Sequence, residues 1–378
     1  MGNHFHIPLV EFFSGEIWHT QFGLDILEIT YDYIINGLDI DKITIPTNCY
    51  FCHNDESLQK IQNIVNKFNN TKCHLCFSLS IDGKIIDNLR PRNNQEEYTD
   101  EFYDTVFTFA KFNNFLFHPM VAAAGIEHWK ENYQWWKDMH KYYNLDISDI
   151  MLLEVRNDDW TEERIKYYCE FMKMLADEFL HEQCHDDIQI MANVIGNVRL
   201  RDIDPKLSGY IPWLIAPNAT YHGCTVPYDL TVRLGDLAIC PCHRQAYEQY
   251  LYGHFIVEDG AITGITARNP LMAVRILMGN MQTNMPLCDM CIYNKFCMRG
   301  CFGAQLEVNH DPFFPIKSVC DLYKAKWAYM LQYYRDKGII DYYRNNISIQ
   351  EFGNETILAI LELDKLEQGV RNNVMDPR

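Results

Sequence analysis

Short apolar runs alternate with amphipathic segments along roughly the first 200 residues of the chain. The apolar runs predict β-strands at Pro8–Phe13, Lys42–Pro46, Cys73–Ile81, Phe115–Val121, Ile150–Val155 and Ile188–Val194. The segments between them have helical periodicity and predict helices near Leu24–Tyr33, Glu56–Phe68, 95–112, Trp129–Tyr143 and Trp160–Leu180. This alternation predicts a parallel sheet with right-handed crossovers, either open or curled into a barrel. Function in such folds lies at the carboxyl ends of the strands.

The pattern changes near residue 200. A loop is predicted over residues 205–227, which contain the four prolines Pro205, Pro212, Pro217 and Pro227. A β-hairpin with a turn at Asp259-Gly260 follows, and then helices at 269–279, at 322–337 and after Ser348. We therefore predict one α/β domain over residues 1–204, a small domain over 205–330 and a helical extension over 331–378.

Composition and charge narrow the functional class. The chain has 378 residues, 48% of them hydrophobic, which is enough for two domains or for one large barrel with an appendage. A formal net charge of −18 argues against nucleic acid or an anionic membrane as the main partner. The sequence shows no signal peptide and no apolar run of membrane-spanning length. With fourteen cysteines, we expect a cytoplasmic protein whose thiols serve as ligands or core residues.

The strongest candidate for a functional site is a group of closely spaced cysteines in the second half of the chain. Their spacing fits no helix or strand face, and it can wrap the backbone round a metal centre: Cys288-x2-Cys291-x5-Cys297-x3-Cys301, then Cys320. Upstream stand Cys224, Gly235, Cys240 and Cys242. The array predicts metal binding, with iron–sulfur favoured over zinc.

The whole array resembles the seven-cysteine SPASM domain of radical SAM enzymes. The resemblance implies two auxiliary [4Fe–4S] clusters beside a partial (β/α)6 barrel, a TIM-like fold that binds S-adenosylmethionine. It implies that the second cluster is held by Cys288, Cys291, Cys297 and Cys320. It implies that the first is held by Cys224, Cys301 and either or both of Cys240 and Cys242.

Three strand ends in the first half extend the resemblance, which covers roughly residues 8–330. Phe13-Ser14-Gly15-Glu16 is similar to the family's Gly-Gly-Glu-Pro, which receives the amino group of S-adenosylmethionine. Thr47-Asn48-Cys49 resembles its Thr-Asn-Gly, and Ser78-Leu-Ser80-Ile-Asp82-Gly83 resembles its Ser-Leu-Asp-Gly. By this likeness Ser14, Gly15, Glu16 and Ser80 are cofactor-binding residues.

One defining feature of the family is missing. The sequence contains no Cys-x3-Cys-x2-Cys loop, which in the family binds the cluster that cleaves S-adenosylmethionine. We therefore expect that the first β-α unit, roughly 30 residues or more, is absent from this chain. It would then be a truncated frame, a fragment or one half of a split enzyme. The alternative is that Cys49 and Cys52 form a displaced cluster site.

The resemblance implies an activity and partners. A 5′-deoxyadenosyl radical would abstract hydrogen from a peptide or protein substrate, with an electron donor such as flavodoxin or ferredoxin. In sulfatase-maturing members an aspartate follows the auxiliary cysteine, whereas Cys242 is followed by His243, which favours modification of ribosomal peptides. Two alternatives stay open: an iron–sulfur electron-transfer or substrate-binding protein without radical activity, and a zinc-stabilised interaction module.

Simpler interpretations apply to several residues outside the array. Cys73, Cys76, Cys169 and Cys184 are expected to be small core residues. Glu16 has the alternative role of an ordinary helix-cap acid. The run Arg156–Trp160 follows a predicted strand, where a solvated loop is the default and contact with cofactor or substrate the alternative.

Overall fold

A computed structural model of the chain describes residues 6–13, 16–19, 21–87, 98–147, 150, 152–182, 231–268, 285–293, 297, 300–346 and 361–369. The chain divides into two compact units. Unit 1 consists of Met1–Glu154 with Asp186–Asn193, and unit 2 of Val155–His185 with Val194–Arg378. The boundary predicted near residue 205 lies outside the described residues and stays a prediction.

Unit 1 contains the parallel sheet that the sequence predicts. Its four strands pair in the order β1-β2-β3-β4, all parallel: β1 (His6–Glu11), β2 (Asp39–Thr47), β3 (His74–Leu79) and β4 (Phe115–Phe117). A second parallel pair joins β5 (Met120–Val121) to β6 (Leu153–Glu154). The prediction of a mixed α/β fold with parallel strands is therefore confirmed.

One strand was predicted as continuous and is broken. The run Phe115–Val121 divides between β4 and β5 at His118-Pro119. Pro119 has no N–H to donate to a neighbouring strand, so the ladder stops there. The N–H of Met120 instead donates to Asp82 Oδ1 at 2.8 Å. The predicted strand at 188–194 lies outside the described residues.

Capping residues define several ends of the helices in unit 1. They are α1 (Gln21–Ile35), α2 (Asp55–Phe68), α3 (Lys84–Asp87), α4 (Asp100–Phe112) and α5 (Trp129–Tyr143). The Asn54 side chain caps α2 by accepting from Ser57 N, and Thr99 caps α4 by accepting from Phe102 N. Asn144, in the left-handed region at φ 56°, ends α5.

Aromatic side chains fill the core between this sheet and its helices. Trp18 stacks on Phe77 of β3 with ring centroids 5.5 Å apart, and Phe107 of α4 lies 4.9 Å from Phe117. Trp136 of α5 is fully buried and meets Phe117 edge to face. Such pairs add to the free energy gained from burying their apolar area. They fix the helices against the strands whose carboxyl ends carry the predicted motifs.

Unit 2 contains helices and an antiparallel sheet. The sheet order is β10-β9-β8-β7, formed by β7 (Thr231–Arg233), β8 (Ala238–Cys240), β9 (Gly253–Glu258) and β10 (Ala261–Ala267). The predicted hairpin is confirmed, with Asp259 at φ 52° and Gly260 at φ 78° as a two-residue turn should have. The helices are α6 (Glu162–Glu182), α7 (Pro286–Asp289), α8 (Phe302–Asn309), α9 (Lys317–Asp336), α10 (Ile339–Asn346) and a segment at 361–369.

Buried ion pairs join the last helices of unit 2. Arg335 Nε on α9 lies 2.6 Å from Asp364 Oδ1, and Arg344 Nη2 on α10 lies 2.6 Å from Asp364 Oδ2. Asp364 itself is fully buried, so removal of either arginine would leave a buried carboxylate with fewer compensating partners. The predicted helix at 269–279 and the start at Ser348 lie outside the described residues. None of the helices described combines the length and apolarity of a membrane span.

Candidate functional site

The carboxyl end of β2 forms a hydrogen-bonded corner with Glu16. Thr47 Oγ1 donates to Glu16 Oε1 at 2.7 Å, and the backbone N–H of Asn48 donates to Oε2 at 2.7 Å. Thr47 Oγ1 also accepts from Cys49 N at 3.0 Å. The carboxylate of Glu16 is therefore held in one orientation by the end of β2. Ser14 and Gly15 lie outside the described residues.

The end of β3 joins the same corner. Ser80 N donates to the carbonyl oxygen of Thr47 at 2.7 Å, which ties the residue after β3 to the end of β2. Ser80 is half-buried beside this bond. The structure thus brings Glu16, Thr47 and Ser80 to one edge of the sheet, where the sequence placed three separate motifs.

The buried carboxylate of Asp87 shapes the turn that follows. Asp87 accepts from the N–H groups of Asp82 (3.3 Å) and Gly83 (3.1 Å), and from the hydroxyl of Tyr103 at 2.9 Å. Gly83 has φ +104°, and a Cβ there would lie 2.6 Å from Asn132 Oδ1. No other residue fits without displacing Asn132. The Asp82-Gly83 turn is therefore a rigid neighbour of the corner.

Cys49 and Cys52 lie next to this corner and are buried. Burial, followed by the negative charge of Glu16, raises the pKa of Cys52 well above its ordinary value. Cys49 is fully buried and takes φ 63°, at the position where the resembled motif has glycine. Cys52 is therefore a neutral thiol in this structure.

The cysteines expected to be small core residues lie in or beside regular elements. Cys73, directly before β3, and Cys169 in α6 are buried, and Cys76 on β3 is half-buried. Burial raises the pKa of the Cys73 and Cys169 thiols to about 11 in each case, as is typical of unreactive structural cysteines. Cys184 lies outside the described residues.

A second candidate site is a cavity of about 670 Å³ within unit 2. Five of the predicted ligands line it: Cys288, Cys291, Cys297, Cys301 and Cys320. Short hydrogen-bonded segments place them there, since Cys288 lies in α7, Cys301 directly precedes α8, and Cys320 lies in the first turn of α9. Residues up to 32 positions apart in sequence thus meet round one space.

Electrostatic repulsion acts between the thiols that line this cavity. Burial, followed by the negative charge of Cys288, raises the pKa of Cys320 to about 11. Thiolates gathered in this way repel one another, and a bound cation removes that repulsion. Among the described residues no three cysteine Sγ atoms lie within 4.8 Å of one another.

The two upstream cysteines differ in their surroundings. Cys242 is half-buried and packs, together with Cys288, against the apolar cluster of Tyr250, Met285, Phe302 and Leu306. Cys240 is fully buried in a separate small cluster with Ala238 and Leu251. Cys224 lies outside the described residues.

Two further features of unit 2, one of them at this cavity, have no signal in the cysteine spacing. Arg156 lines the cavity. This position is compatible with the alternative that the Arg156–Trp160 run contacts cofactor or substrate. Arg244 forms a two-pronged ion pair with Glu307 of α8, at 2.7 and 3.2 Å, which holds the segment after Cys242. No sequence motif points to this pair, because its members are 63 residues apart.

Comparisons with known proteins identify the fold. No family model and no curated protein matches the sequence. Native anSMEcpe with bound AdoMet matches with TM-score 0.57 and 17% identity over 92% of this chain and 86% of that chain. Native anSMEcpe with bound AdoMet and Kp18Cys peptide matches with TM-score 0.56 and 17% identity, over 90% and 86%. That protein is an anaerobic sulfatase-maturating radical SAM/SPASM enzyme. The chain therefore has a mixed α/β fold similar to that of radical SAM enzyme structures.

Proposed function

We propose that this chain is a radical SAM/SPASM-type iron–sulfur protein that takes part in modification of a peptide or protein. The observation that carries the proposal is the cavity lined by five cysteines whose spacing already resembles the SPASM array. The matching structures support it, since they contain AdoMet and, in one case, the Kp18Cys peptide. The finer architecture in this proposal is a partial (β/α)6 barrel.

The proposed clusters divide the cysteines between two sites. Cys288, Cys291, Cys297 and Cys320 would hold one [4Fe–4S] cluster, and Cys224, Cys301 and Cys242 would hold ligand positions of the other. Cys242 is favoured over Cys240 because it packs against the same apolar cluster as Cys288, whereas Cys240 is sealed in another. When bound, such clusters supply one-electron chemistry that side chains cannot provide.

The corner at Glu16 has the chemistry to orient an amino acid. Its carboxylate is oriented by Thr47 and Asn48, and a carboxylate is the charge-matched acceptor for an ammonium group. Ser80 stands at the adjacent strand end, tied to the backbone of Thr47. In the proposed function these residues bind and orient the amino-acid end of S-adenosylmethionine. We retain modification of ribosomal peptides over sulfatase maturation, because His243 follows Cys242.

The first experiment measures iron and acid-labile sulfide in anaerobically reconstituted protein. Two [4Fe–4S] clusters predict about eight irons per chain. Cys288→Ser should remove about four of them, whereas the control Cys76→Ser, a half-buried cysteine on β3, should remove none. Bound zinc without sulfide would contradict the proposal and would favour the zinc module.

A second measurement tests the interaction with S-adenosylmethionine. Electron paramagnetic resonance of the reduced protein is recorded before and after its addition, and cleavage is assayed under dithionite. We expect two clusters and no cleavage by this chain alone, because the Cys-x3-Cys-x2-Cys loop is absent from the sequence. Cleavage that stops in Cys52→Ala would contradict the missing-unit hypothesis and assign a cluster to Cys49 and Cys52.

The runner-up function is an iron–sulfur protein for electron transfer or substrate binding. The absent loop is the observation that favours it. Equilibrium dialysis with labelled S-adenosylmethionine separates the two functions, since only the proposed one predicts that Glu16→Gln weakens binding. Loss of one charge-assisted hydrogen bond should weaken it by about tenfold or more.

A further inference from the structure

One buried side-chain amide in unit 2 has a donor that meets no acceptor. Gln245 ends a short 3₁₀ helix (His243–Gln245), and its side chain is fully buried. Its Nε2 is sealed from solvent and has no hydrogen-bond partner among the described residues. Leaving a buried donor unpaired costs free energy, so buried polar groups normally have partners, and an exception often marks the place of an ion or a redox group. The unpaired N–H of Gln245 therefore points to a ligand.

The same amide is in contact with Cys242, a proposed cluster ligand. Gln245 Oε1 lies 4.0 Å from Cys242 Sγ, and the thiol is the donor in this contact. Gln245 N also donates to the Cys242 carbonyl oxygen at 3.1 Å, which fixes both residues in one turn. A cysteine that binds iron does so as a thiolate, which accepts hydrogen bonds and donates none. A half-turn of the amide then brings Nε2, the unpaired donor, against the sulfur.

The turn that contains Gln245 is held against α8. Arg244 donates to both carboxylate oxygens of Glu307 on α8, at 3.2 and 2.7 Å. A Cβ added at Gly303 of α8 would overlap with the Cβ of Arg244, so the turn approaches the helix as closely as glycine permits. Cys301 directly precedes α8. The turn therefore packs on the helix that begins after another proposed ligand of the same cluster.

We propose that Gln245 donates an N–H···S hydrogen bond to the sulfur of Cys242 and thereby raises the reduction potential of the cluster that Cys242 and Cys301 hold. The inference rests on the proposed iron–sulfur function. A donor stabilises the more negative, reduced cluster more than the oxidised one, so the cluster becomes easier to reduce. Reduction adds one electron to the cluster, and the hydrogen stays on Nε2 throughout.

The test compares two substitutions that keep the length of the side chain. Gln245→Met removes the donor, and Gln245→Glu replaces it with an acceptor that carries a negative charge. In a redox titration followed by electron paramagnetic resonance, Gln245→Met should lower the equilibrium constant for one-electron reduction of one cluster about tenfold, which equals about 59 mV. Gln245→Glu should lower it further, because negative charge opposes reduction. Iron and sulfide content should stay at the wild-type level.

Two controls assign the effect to this cluster. Cys288→Ser should leave only the cluster that Cys242 ligates, and adding Gln245→Met to it should give the same shift. Gln134→Met, at an exposed glutamine of α5 in unit 1, should change neither potential. A purely structural role for Gln245 predicts loss of iron instead of an ordered shift in potential.

Nitrogen hyperfine coupling measures the hydrogen bond directly. Protein that contains glutamine with ¹⁵N in the side-chain amide should show a ¹⁵N coupling to the reduced cluster. Gln245→Asn keeps a buried amide without the label and should lose this coupling, so it decides the question if Gln245→Met fails to bind iron.

The outcomes separate this inference from the proposed function. Potentials that Gln245→Met leaves unchanged, wild-type protein without the coupling, or a coupling that persists in Gln245→Asn would overturn the role of Gln245 alone. Wild-type protein that binds no iron and sulfide would overturn the proposed function together with it.

Discussion

The corner at Glu16 and the cysteine cavity are organised by opposite means. In the corner each polar group has a protein partner: Glu16 is held by Thr47 and Asn48, and Ser80 N is bonded to the Thr47 carbonyl. In the cavity the thiols come from separate short segments, and the charge of Cys288 acts against that of Cys320. If the proposed cluster binds, the difference predicts that the corner forms by folding alone, whereas the cavity takes its final form only with the cluster bound.

Removal of the metal should have the largest effect of the changes considered, and it should affect the cysteine cavity but not the corner at Glu16. Chelation of iron from the reconstituted protein should speed amide exchange around Cys288, Cys291 and Cys320 by about 100-fold or more, because a structural metal site contributes several kcal/mol to local stability. Amides at Asn48 and Ser80 should keep their rates. Hydrogen exchange with mass spectrometry, with and without iron, measures both regions in one sample. Equal loosening of both would show that the corner also depends on the metal.

Substitution of Asp87 should remove hydrogen bonds that support the corner. Asp87→Ala removes the acceptor shared by Asp82 N, Gly83 N and Tyr103 Oη, and it leaves buried donors without that partner. We expect the free energy of unfolding of unit 1 to fall by about 3 kcal/mol, measured by urea denaturation. Asp87→Asn, which keeps one carbonyl acceptor, should cost less. Iron content should be unchanged in both variants, and its loss would show that the two sites are coupled.

The sequence predicts most of what depends on local pattern. The bounds of α5 were predicted at Trp129 and Tyr143, and the structure has the same residues. The hairpin turn at Asp259-Gly260 was also predicted correctly, because few other dipeptides accept positive φ at both positions. In both cases the information lies within a few residues of the feature.

Contacts between residues far apart in the sequence could not be predicted from the pattern of hydrophobic and polar positions. The hydrogen bond that follows the break after β4 joins distant residues, since Asp82 accepts from Met120 N across 38 residues. Arg156 reaches the cysteine cavity although at least 130 residues separate it from Leu287. Periodicity and spacing report on neighbours in sequence, and such pairs exist only once the chain has folded. The assignment of Glu16 as cofactor-binding stays a prediction, although its orientation by Thr47 is now described.

Acidification should weaken unit 1 through a residue that neither site uses. Burial lowers the pKa of His140 to about 4, while its Nδ1 bonds the Trp136 carbonyl at 2.8 Å. The unfolded chain takes up this proton near pH 6.5 and the folded chain only near pH 4. Stability is therefore complete above pH 6.5 and falls as pH drops toward 4, by about 3 kcal/mol.

Urea denaturation between pH 7 and 4 tests whether the free energy of unfolding falls as the pH is lowered. His140→Asn keeps a donor for the Trp136 carbonyl and does not titrate, so its unfolding free energy should fall less over this interval. The same slope in both proteins would assign the acid sensitivity to carboxylates instead. Because His140 lies in α5, away from the cysteines in sequence, we expect iron content at pH 6 to be unaffected.

The smallest predicted effect concerns strain within the corner. Cys49 takes φ 63°, which costs a residue with a side chain about 1 kcal/mol relative to glycine. Its thiol is also buried, so replacement by glycine alone would combine relief of strain with loss of packing. The informative comparison is Cys49→Gly with Cys49→Ala, since both lose the sulfur and only one keeps Cβ. Allowing for the extra freedom of glycine in the unfolded chain, the glycine variant should be more stable by about 0.5 kcal/mol in urea denaturation. An alanine variant of equal or greater stability would mean that the corner is less rigid than its hydrogen bonds imply, and the contrast with the cysteine cavity would weaken accordingly.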